Sequence, residues 1–313
     1  MLYFDRDDSD DAKRPSSRSG AIADVNATPL ASPAMAEPAS FLPCHYRCRQ
    51  EARPLVSFCI TCKDRLLHLR ETLPRNLAWH EDDPDVEFVI LNYNSGDELQ
   101  GWVRQTCARQ LASGRLVHFF NAEPAEFRAS HAKNQAFRLA RGAILCNLDA
   151  DNFTGPGFAA YVRSQLHTLD FLSGGVIEGN RVVATNVRGV EGRNVVPREL
   201  FWSFGGFDED FSSWGYEDSN LSERMMAVGL AGRTIAGDYL SCIDHGDDLR
   251  TRFFRNKVTG RNTGRAFGSC KDNYDIWLEK KASGRWVCPP EKFGCGTVYR
   301  NFAAQPLVLA PRA

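Results

Sequence analysis

Apolar residues occur along the chain in short runs that alternate with amphipathic stretches, beginning at Leu55. The run 55–61 is rich in β-branched and aromatic residues and predicts a buried strand, whereas 66–79 predicts a helix. The alternation continues with predicted strands at 86–91, 116–120 and 143–148 and predicted helices at 98–112 and 129–141, the last ended by Gly142. Strands that alternate with helices predict βαβ crossovers and a mostly parallel sheet in an α/β fold.

The second half of the chain has a less regular pattern. We predict helices at 158–169 and 218–228, strands at 182–187, 195–204 and 233–236, and largely irregular chain after Asp244. Residues 1–50 combine an acidic run with many Pro, Ser and Ala residues, so we expect a mobile or partly ordered tail. The predicted organisation is a tail (1–50), an α/β domain with halves 51–152 and 153–250, and a basic loop with a C-terminal extension packing on that domain (251–313).

The composition excludes several classes of protein. The 313 residues carry a net charge of -1, so no overall positive field attracts nucleic acid or an anionic membrane. No apolar stretch reaches the length of a membrane span, and residues 1–8 lack the basic flank and apolar core of a secretory signal. We therefore expect a soluble cytoplasmic protein without a nucleic-acid partner. Peripheral membrane association and the oligomeric state stay open.

The ten cysteines are scattered along the chain. Cys59 and Cys62 lie in or next to the first apolar run and are expected to be core thiols. Two alternatives involve further cysteines: a zinc site that adds Cys44 and Cys48 to this pair, or disulfides among Cys270, Cys288 and Cys295 in an oxidising compartment. Neither spacing is specific enough to assign the protein to a class.

Polar residues follow the predicted strands, where parallel sheets bind ligands. These residues are Thr61, Asp64, Asn92, Asn94 and Asp149. The fourth strand ends in Asp149-Ala150-Asp151, and both carboxylates can reach one point because alternate residues of an extended chain face the same way. Two such carboxylates suit a hard divalent cation that also binds phosphates; the alternative is a solvated turn.

Two segments rich in glycine and acidic residues come later, at 205–209 (Gly-Gly-Phe-Asp-Glu) and 214–218 (Trp-Gly-Tyr-Glu-Asp). Paired glycines let the backbone approach a ligand closely. Trp214, followed by Glu217 and Asp218, offers an aromatic surface for a sugar ring and a carboxylate base. The alternative is that the two acids only cap the following helix.

Basic and imidazole groups complete the set of candidates. Arg128, ahead of Lys133 and Asn134, could bind phosphate or a nucleobase, and His245 follows a short predicted strand. The alternative for each is a solvated or structural role. A basic loop suited to a diphosphate comes next, with Arg250, Arg252, Arg255, Lys257, Arg261 and Arg265.

In this order along the chain, the segments resemble inverting GT-A glycosyltransferases of family 2 with a galactosyltransferase-like C-terminal module. The resemblance runs from about Leu55 to Gly246, and its most specific part spans 204–218. It implies a GT-A fold, which is a Rossmann-like, mostly parallel central sheet flanked by helices, with a less regular acceptor-side half. Residues 51–152 would then bind a nucleotide sugar, and 153–250 would bind the acceptor and catalyse transfer.

The resemblance also implies roles for single residues. Asp151 would bind the metal together with Asp149 and His245, and Mn²⁺ is favoured over Mg²⁺ because a histidine ligand suits a softer ion. Asp218 would be the general base, and Glu217 would bind donor or acceptor sugar beside it. The implied donor-binding residues are Thr61, Arg65, Asn92, Asn94, Arg128, Asn134, Asp149 and Trp214.

The predicted function is therefore metal-dependent, inverting transfer of a sugar from a UDP-sugar to a hydroxyl of a glycan, lipid or small-molecule acceptor, as in polysaccharide biosynthesis. Two departures from the family pattern stand out: Asn92 and Asn94 replace a usual aspartate, and Tyr216 replaces a usual glycine, which would narrow the acceptor site. One alternative is a non-catalytic carbohydrate- or nucleotide-binding protein on the same fold. Another is a sugar nucleotidyltransferase, which the absence of glycine from 61–65 disfavours.

Overall fold

The computed structural model describes residues 53–166, 170–185, 187–212, 215–246, 249 and 264–311, with the backbone alone for 264–269. The helices are α1 (Leu66–Trp79), α2 (Leu99–Thr106), α3 (Ala108–Ala112), α4 (Ala129–Leu139), α5 (Phe158–Leu166), α6 (Arg198–Ser203), α7 (Glu217–Ala227) and α8 (Gly264–Ala282). The strands are β1 (Val56–Cys62), β2 (Val86–Tyr93), β3 (Leu116–Asn121), β4 (Ile144–Asn147), β5 (Asn152–Phe153), β6 (Phe171–Ser173), β7 (Val176–Glu178), β8 (Arg181–Val183), β9 (Val195–Pro197), β10 (Gly232–Thr234), β11 (Ser241–Cys242), β12 (Gly296–Arg300) and β13 (Pro306–Leu309).

The main sheet, as far as the structure describes the chain, has nine strands in the order β10-β6-β9-β4-β1-β2-β3-β12-β13. Its centre is parallel, since β1 pairs with β2 and β4, and β2 pairs with β3. The strands β9 and β12 run antiparallel to both of their neighbours. The carboxyl ends of β1, β2 and β4 therefore lie side by side at one edge, where the loops that follow them meet.

Two apolar cores lie on opposite faces of this sheet. Phe58 and Ile60 of β1 pack in the same core as Leu69 of α1. Cys59, between them, packs in the other core together with Phe137 of α4. Successive side chains of a strand point to opposite faces, so a central strand covered on both sides, such as β1, is buried at every position.

The predicted alternation of strands and helices in residues 55–148 is confirmed, and so is the mostly parallel α/β sheet. The helix predicted at 98–112 is interrupted, because α2 ends at Thr106 and α3 begins at Ala108. The strand predicted at 195–204 is wrong beyond Pro197, where α6 begins. Proline has no N–H to continue a strand ladder, so β9 ends there.

The prediction that Gly142 ends α4 is wrong. The helix ends at Leu139, and Ala140 is already extended with φ -70° and ψ 153°. Gly142 instead packs directly on β1, where a Cβ atom would lie only 2.4 Å from Ser57 Oγ. The absence of a side chain at Gly142 is therefore required by the close approach of two backbones.

The prediction of irregular chain after Asp244 is also wrong. The helix α8 has 19 residues, and β12 pairs with β3 to add two strands to the main sheet. All eight cysteines among the described residues are free thiols, and the predicted core thiols Cys59 and Cys62 are fully buried. Among the helices of the described ranges, none combines the length and apolar character that a bilayer crossing requires.

Candidate active site

Asp151 and His245 meet at the edge of the sheet beyond β4. Asp151 Oδ2 lies 2.5 Å from His245 Nε2, although the residues are 94 positions apart in sequence. The short ladder between β5 and β11 brings them together, and Ile243 N donates to the Asp151 carbonyl at 2.8 Å. The second oxygen of the carboxylate accepts from Asn152 Nδ2 at 2.8 Å. This ladder therefore fixes the relative position of the two predicted metal ligands.

The pair has the chemistry of a cation site. His245 Nδ1 lies 3.0 Å from the Gly246 carbonyl, which can only accept, so a neutral imidazole places its proton there. Its bare Nε2 lone pair then faces a carboxylate oxygen of Asp151. A separation of 2.5 Å is a hydrogen-bond distance, so a proton lies between the two atoms in this conformation. Asp151 and His245 nevertheless supply one oxygen and one nitrogen atom of the types that bind divalent cations.

A polar stripe on α1 fixes the loop that carries these carboxylates. Thr72 Oγ1 donates to the Ala150 carbonyl at 2.7 Å. Asn76 donates to the Asn152 carbonyl at 3.0 Å and accepts from Thr154 N at 2.9 Å. Residues four apart on a helix share a face, so one helix reaches successive residues of the loop. The stripe consists of Thr72, Asn76 and, directly after the last residue of α1, His80.

Lys133 of α4 binds both acidic residues at the start of α7. Its Nζ lies 2.7 Å from each carboxylate oxygen of Asp218 and 3.0 Å from Glu217 Oε1. The lysine is only 4% exposed. Asn194 Nδ2 also donates to Asp218 Oδ1, at 3.2 Å. The orientation of the predicted base is therefore fixed by a buried ammonium group and one amide.

Asp149 and Asp218 converge on Gly192. A Cβ atom added at Gly192 would lie 2.7 Å from Asp149 Oδ2 and 3.1 Å from Asp218 Oδ2. The other oxygen of Asp149 accepts from Asn147 Nδ2 at 3.1 Å. Because Gly192 has no side chain, the loop can pass between the two carboxylates without a clash. The end of β4 and the start of α7 thus approach each other at Gly192.

Burial and the single ammonium of Lys133 set the protonation behaviour of this cluster. Burial raises the pKa of Asp218 well above its usual range, and Lys133 offsets only part of that rise. Burial would also raise the pKa of Glu217, but the ammonium outweighs it and the pKa of Glu217 falls. Burial likewise raises the pKa of Asp149, with the negative charge of Asp151 adding to the effect. Asp218 is consequently the more basic of the two carboxylates beside Lys133.

The groups around Asp151 lower the pKa of its carboxyl group, in contrast to the raised pKa of Asp218. Burial would raise the pKa of this carboxyl, but its contact with His245 and the charge of Arg65 lower it below the ordinary value. The predicted donor-binding residue Arg65 therefore lies close enough to act on the predicted metal ligand. Its Nη2 donates to the Leu249 carbonyl, which places residue 249 at the same edge of the sheet.

Three predicted donor-binding residues make contacts within the protein. Asn92 is 1% exposed, and its Oδ1 accepts from Ser95 N at 2.8 Å in the turn after β2. Asn94 Nδ2 donates to the Pro124 carbonyl at 3.0 Å. Thr61 is almost completely buried at the end of β1. The geometry favours a structural role for Asn92, because its side chain faces the protein interior.

The predicted donor-binding residues of α4 differ from each other in exposure. Asn134 is fully buried; it donates to the Phe207 carbonyl at 2.9 Å and accepts from Phe207 N at 2.8 Å. Its amide thereby fixes the loop that contains Gly205 and Gly206, so the geometry favours a structural role over contact with a donor. Arg128 has a side chain that is 58% exposed, 3.7 Å from Glu209 Oε2, and remains accessible to a ligand.

Some predicted residues lie outside the described part of the chain. These are Trp214, the tail 1–50 with Cys44 and Cys48, and the basic residues Arg250, Arg252, Arg255, Lys257 and Arg261, together with the side chain of Arg265. Within the described residues, no group of three or more His, Cys, Asp or Glu side chains is placed to bind a metal ion.

The family model for glycosyl transferase family 2 matches residues 57–222. The chain belongs to this family. The match contains both carboxylates of the β4 loop, Lys133 and the start of α7, and it ends before His245 and α8. The predicted family and the predicted α/β fold class are thereby confirmed. A search among curated proteins finds no match.

Several solved structures are similar to this glycosyltransferase. One is a mannosyltransferase from Pyrobaculum calidifontis in complex with GDP-Man and Mn²⁺, with 24% identity and a TM-score of 0.49 over 61% of this chain and 58% of that one. Another is S. aureus TarS with UDP, with 16% identity and a TM-score of 0.44 over 59% of each chain. A third is the catalytic domain of Drosophila beta1,4-galactosyltransferase 7 with xylobiose, with 16% identity and a TM-score of 0.41 over 65% and 76%. The chain therefore spans less than two thirds of the first two relatives.

The sequence pattern predicts no functional role for Lys133, and it predicts neither the position of Gly192 nor the polar stripe of α1. One signal was present in the sequence of this glycosyltransferase: Lys133 lies on the same helix face as Ala129, Ala132 and Ala136. A lysine within the apolar stripe of a helix predicts a buried charge that needs acidic partners. No comparable signal marks Gly192.

Proposed function

We propose that this chain catalyses metal-dependent, inverting transfer of a sugar from a UDP-sugar to a hydroxyl of a glycan, lipid or small-molecule acceptor. The observation that carries the proposal is the convergence of Asp149 and Asp218 on Gly192, next to the pair of Asp151 and His245. A cation site and a basic carboxylate then face the same cleft. This is the arrangement needed to bind an activated sugar and to deprotonate its acceptor.

Asp218 is proposed as the general base. Each carboxylate oxygen has two lone pairs, so Oδ2 can accept from Lys133 and still accept the proton of an acceptor hydroxyl. This oxygen is the one directed toward Gly192 and Asp149. Its raised pKa brings the carboxylate closer to the range in which a base works at neutral pH. Glu217, with its lowered pKa, would stay ionised and bind sugar hydroxyls.

Asp151 and His245 are proposed to hold the metal ion. When bound, a divalent cation neutralises the charge that develops on a leaving diphosphate. Two protein ligands are enough for such an ion, because substrate phosphates and water commonly fill the remaining positions. The imidazole favours Mn²⁺ over Mg²⁺. Arg65, close to this pair, would bind phosphate oxygens, and Arg128, on the exposed start of α4, would contact the nucleotide.

Isothermal titration calorimetry with UDP and Mn²⁺ separates the two proposed roles. Asp151→Ala should weaken Mn²⁺-dependent UDP binding by more than about tenfold, since it removes a ligand. Asp218→Asn should bind UDP within about twofold of the wild type but release UDP from a UDP-sugar roughly a hundredfold more slowly, because it lacks the base. The exposed neighbour variant Asp244→Asn is the matched control and should behave as wild type.

Two results would contradict the proposal. Equal UDP affinity in the wild type and Asp151→Ala, each with Mn²⁺, would remove the metal assignment. If the wild type binds UDP with Mn²⁺ but releases none from a panel of UDP-sugars, with or without added saccharide acceptors, the chain would be a binding protein instead of a transferase.

A further inference from the structure

The C-terminal helix α8 contacts the chain just before α7. Asn273 Oδ1 accepts from Ser212 N at 3.0 Å, and its Nδ2 donates to the carbonyls of Ser212 at 3.0 Å and Gly215 at 2.8 Å. Asn273 is 1% exposed. One side chain thus binds the backbone on both sides of residues 213–214. The spacing between Ser212 and Gly215 is therefore set by a residue from a helix more than 50 positions away.

The backbone at this contact is in an unusual conformation. Gly215 has φ +98° and Tyr216 has φ +74°, so two successive residues lie in the left-handed region directly before Glu217. A Cβ at Gly215 would lie 3.0 Å from Cys270 Sγ, which shows how closely α8 packs on the turn. A tyrosine rarely adopts a positive φ unless its surroundings maintain it. The turn that positions the first residues of α7 therefore depends on external contacts.

Those contacts also come from α8. The Tyr216 ring lies against Tyr274, with centroids 5.0 Å apart, and its hydroxyl donates to Glu223 Oε2 at 3.0 Å. Trp277 Nε1 donates to the same carboxylate oxygen at 2.8 Å. Glu223 is buried on α7, so Tyr216 is fixed between the two helices. The side chain of Tyr216 is directed to α8, and its conformation is stabilised there.

The C-terminal turn of α8 is bound to the chain at residues 208–210. Lys280 Nζ lies 2.8 Å and 2.7 Å from the two carboxylate oxygens of Asp208 and 2.7 Å from Asp210 Oδ2. Asp208 and Lys280 are both buried. The middle of α8, at Asn273, and its C-terminal turn, at Lys280, therefore both contact the chain that leads to α7.

We propose that Asn273 is a positioning residue for sugar transfer, which holds Ser212 and Gly215 so that Asp218 faces the proposed active site. It acts through the backbone of these two residues. The family match ends at residue 222, so this support comes from chain beyond the matched segment. The inference rests on the proposed function, because it takes Asp218 as the base.

The test compares Asn273→Ala with Asp272→Ala, its exposed neighbour on α8, in the full chain. Amide hydrogen exchange measured on a peptide covering 211–220 should rise about tenfold in Asn273→Ala, since the backbone loses its partners. UDP affinity in the presence of Mn²⁺ should stay within about twofold, whereas UDP release from a UDP-sugar should fall roughly tenfold. Asp272→Ala should match the wild type in all three measurements.

A second variant keeps the test decisive if Asn273→Ala does not fold. Asn273→Asp preserves the acceptor for Ser212 N but loses both donated hydrogen bonds. It should show the same slower release of UDP from a UDP-sugar at unchanged UDP affinity.

Unchanged amide exchange and unchanged UDP release in these variants would overturn the inference while the proposed function stands. A parallel loss of UDP affinity and melting temperature would reduce Asn273 to a residue of general stability and also overturn it. If the wild type neither binds nor releases UDP, the proposed function fails, and the exchange of 211–220 alone decides whether Asn273 fixes the turn.

Discussion

The two sides of the cleft are stabilised by different kinds of interaction. On the strand-end side (residues 149–154), neutral side chains of α1 bind the loop backbone through hydrogen bonds such as that of Thr72 to Ala150. On the helix side (residues 215–218), the buried Lys133 pairs with two carboxylates, and Asn273 of α8 binds the backbone of Gly215. The strand-end side thus depends on neutral hydrogen bonds from α1 and on the ladder with β11, whereas the helix side depends on charge balance and on contacts from α8.

This difference matters because the two kinds of interaction respond to mutation on different scales. Loss of one neutral hydrogen bond costs about 1 kcal/mol, while removal of one partner from a buried ion pair costs roughly 3–5 kcal/mol, since the other charge stays buried. We therefore expect the helix side to be the more sensitive to the replacement of a single side chain. Burial of this side also raises the pKa of the proposed base, and the charge of Lys133 offsets only part of that rise.

Replacement of Lys133 by methionine should have the greatest effect. The variant keeps a side chain of similar size but leaves Glu217 and Asp218 buried without their cation. We expect a loss of about 3–5 kcal/mol in the free energy of unfolding, measured by urea denaturation at pH 7.

The double variant Lys133→Met/Asp218→Asn is the control for this interpretation. Removal of the Asp218 charge should restore more than about 1 kcal/mol of the free energy of unfolding, because only one carboxylate is then buried without the lysine. The recovery measures the interaction between positions 133 and 218. If the single variant loses less than about 1 kcal/mol, the carboxylates tolerate burial without the lysine and the contrast between the two sides disappears.

Acid should weaken the strand-end side through His80. This residue of the α1 stripe lies 3.1 Å from Thr154 Oγ1, and burial lowers its pKa from 6.5 to about 4. Between those two values, protons bind the unfolded chain but not the folded one, so stability falls as the pH is lowered from 7 to 5. The loss from this group should be about 2 kcal/mol.

The measurement is urea unfolding of the wild type and His80→Gln at pH 7 and pH 5. The variant should lose about 2 kcal/mol less between the two pH values. His118, also buried with its pKa lowered to about 4, is present in both proteins and cancels in the difference. Parallel pH dependence in the two proteins would show that His80 takes up its proton in the folded state.

The strand-end side was also the more predictable from sequence. The order of β1 to β4 and their helices follows from local apolar patterns, and Asp149 and Asp151 follow from their place after a buried strand. The structure then places Asp151 at 2.5 Å from His245, the partner that the family resemblance implied. The role of Asn92 stays a prediction, because a polar residue at a strand end satisfies a turn as readily as it binds a ligand, and sequence alone does not separate the two.

On the helix side, the contacts made by α8 and by Lys133 were harder to predict from the sequence, for physical reasons. The face of α8 that packs on the domain includes Cys270, Asn273, Trp277 and Lys280. These positions have helical spacing, but two of the four are polar, so the apolar periodicity that predicts a helix is weak. Lys133 was missed as a partner of Asp218 because lysine is almost always exposed, and its place in the apolar stripe of α4 predicts its burial but not the identity of its partners.

The last prediction tests how far a neutral hydrogen bond orients the proposed metal ligands. Thr72→Val keeps the shape of the side chain but removes the donor to the Ala150 carbonyl, which lies between Asp149 and Asp151. We expect a loss of about 1 kcal/mol in stability and roughly tenfold weaker Mn²⁺ binding in the presence of UDP, because residues behind metal ligands orient them. Thr72→Ser, which keeps the hydroxyl, should bind Mn²⁺ as the wild type does in the same titration. If Thr72→Val and Thr72→Ser bind Mn²⁺ equally, the loop is fixed by the ladder of β5 and β11 alone, and α1 contributes packing without orienting the carboxylates.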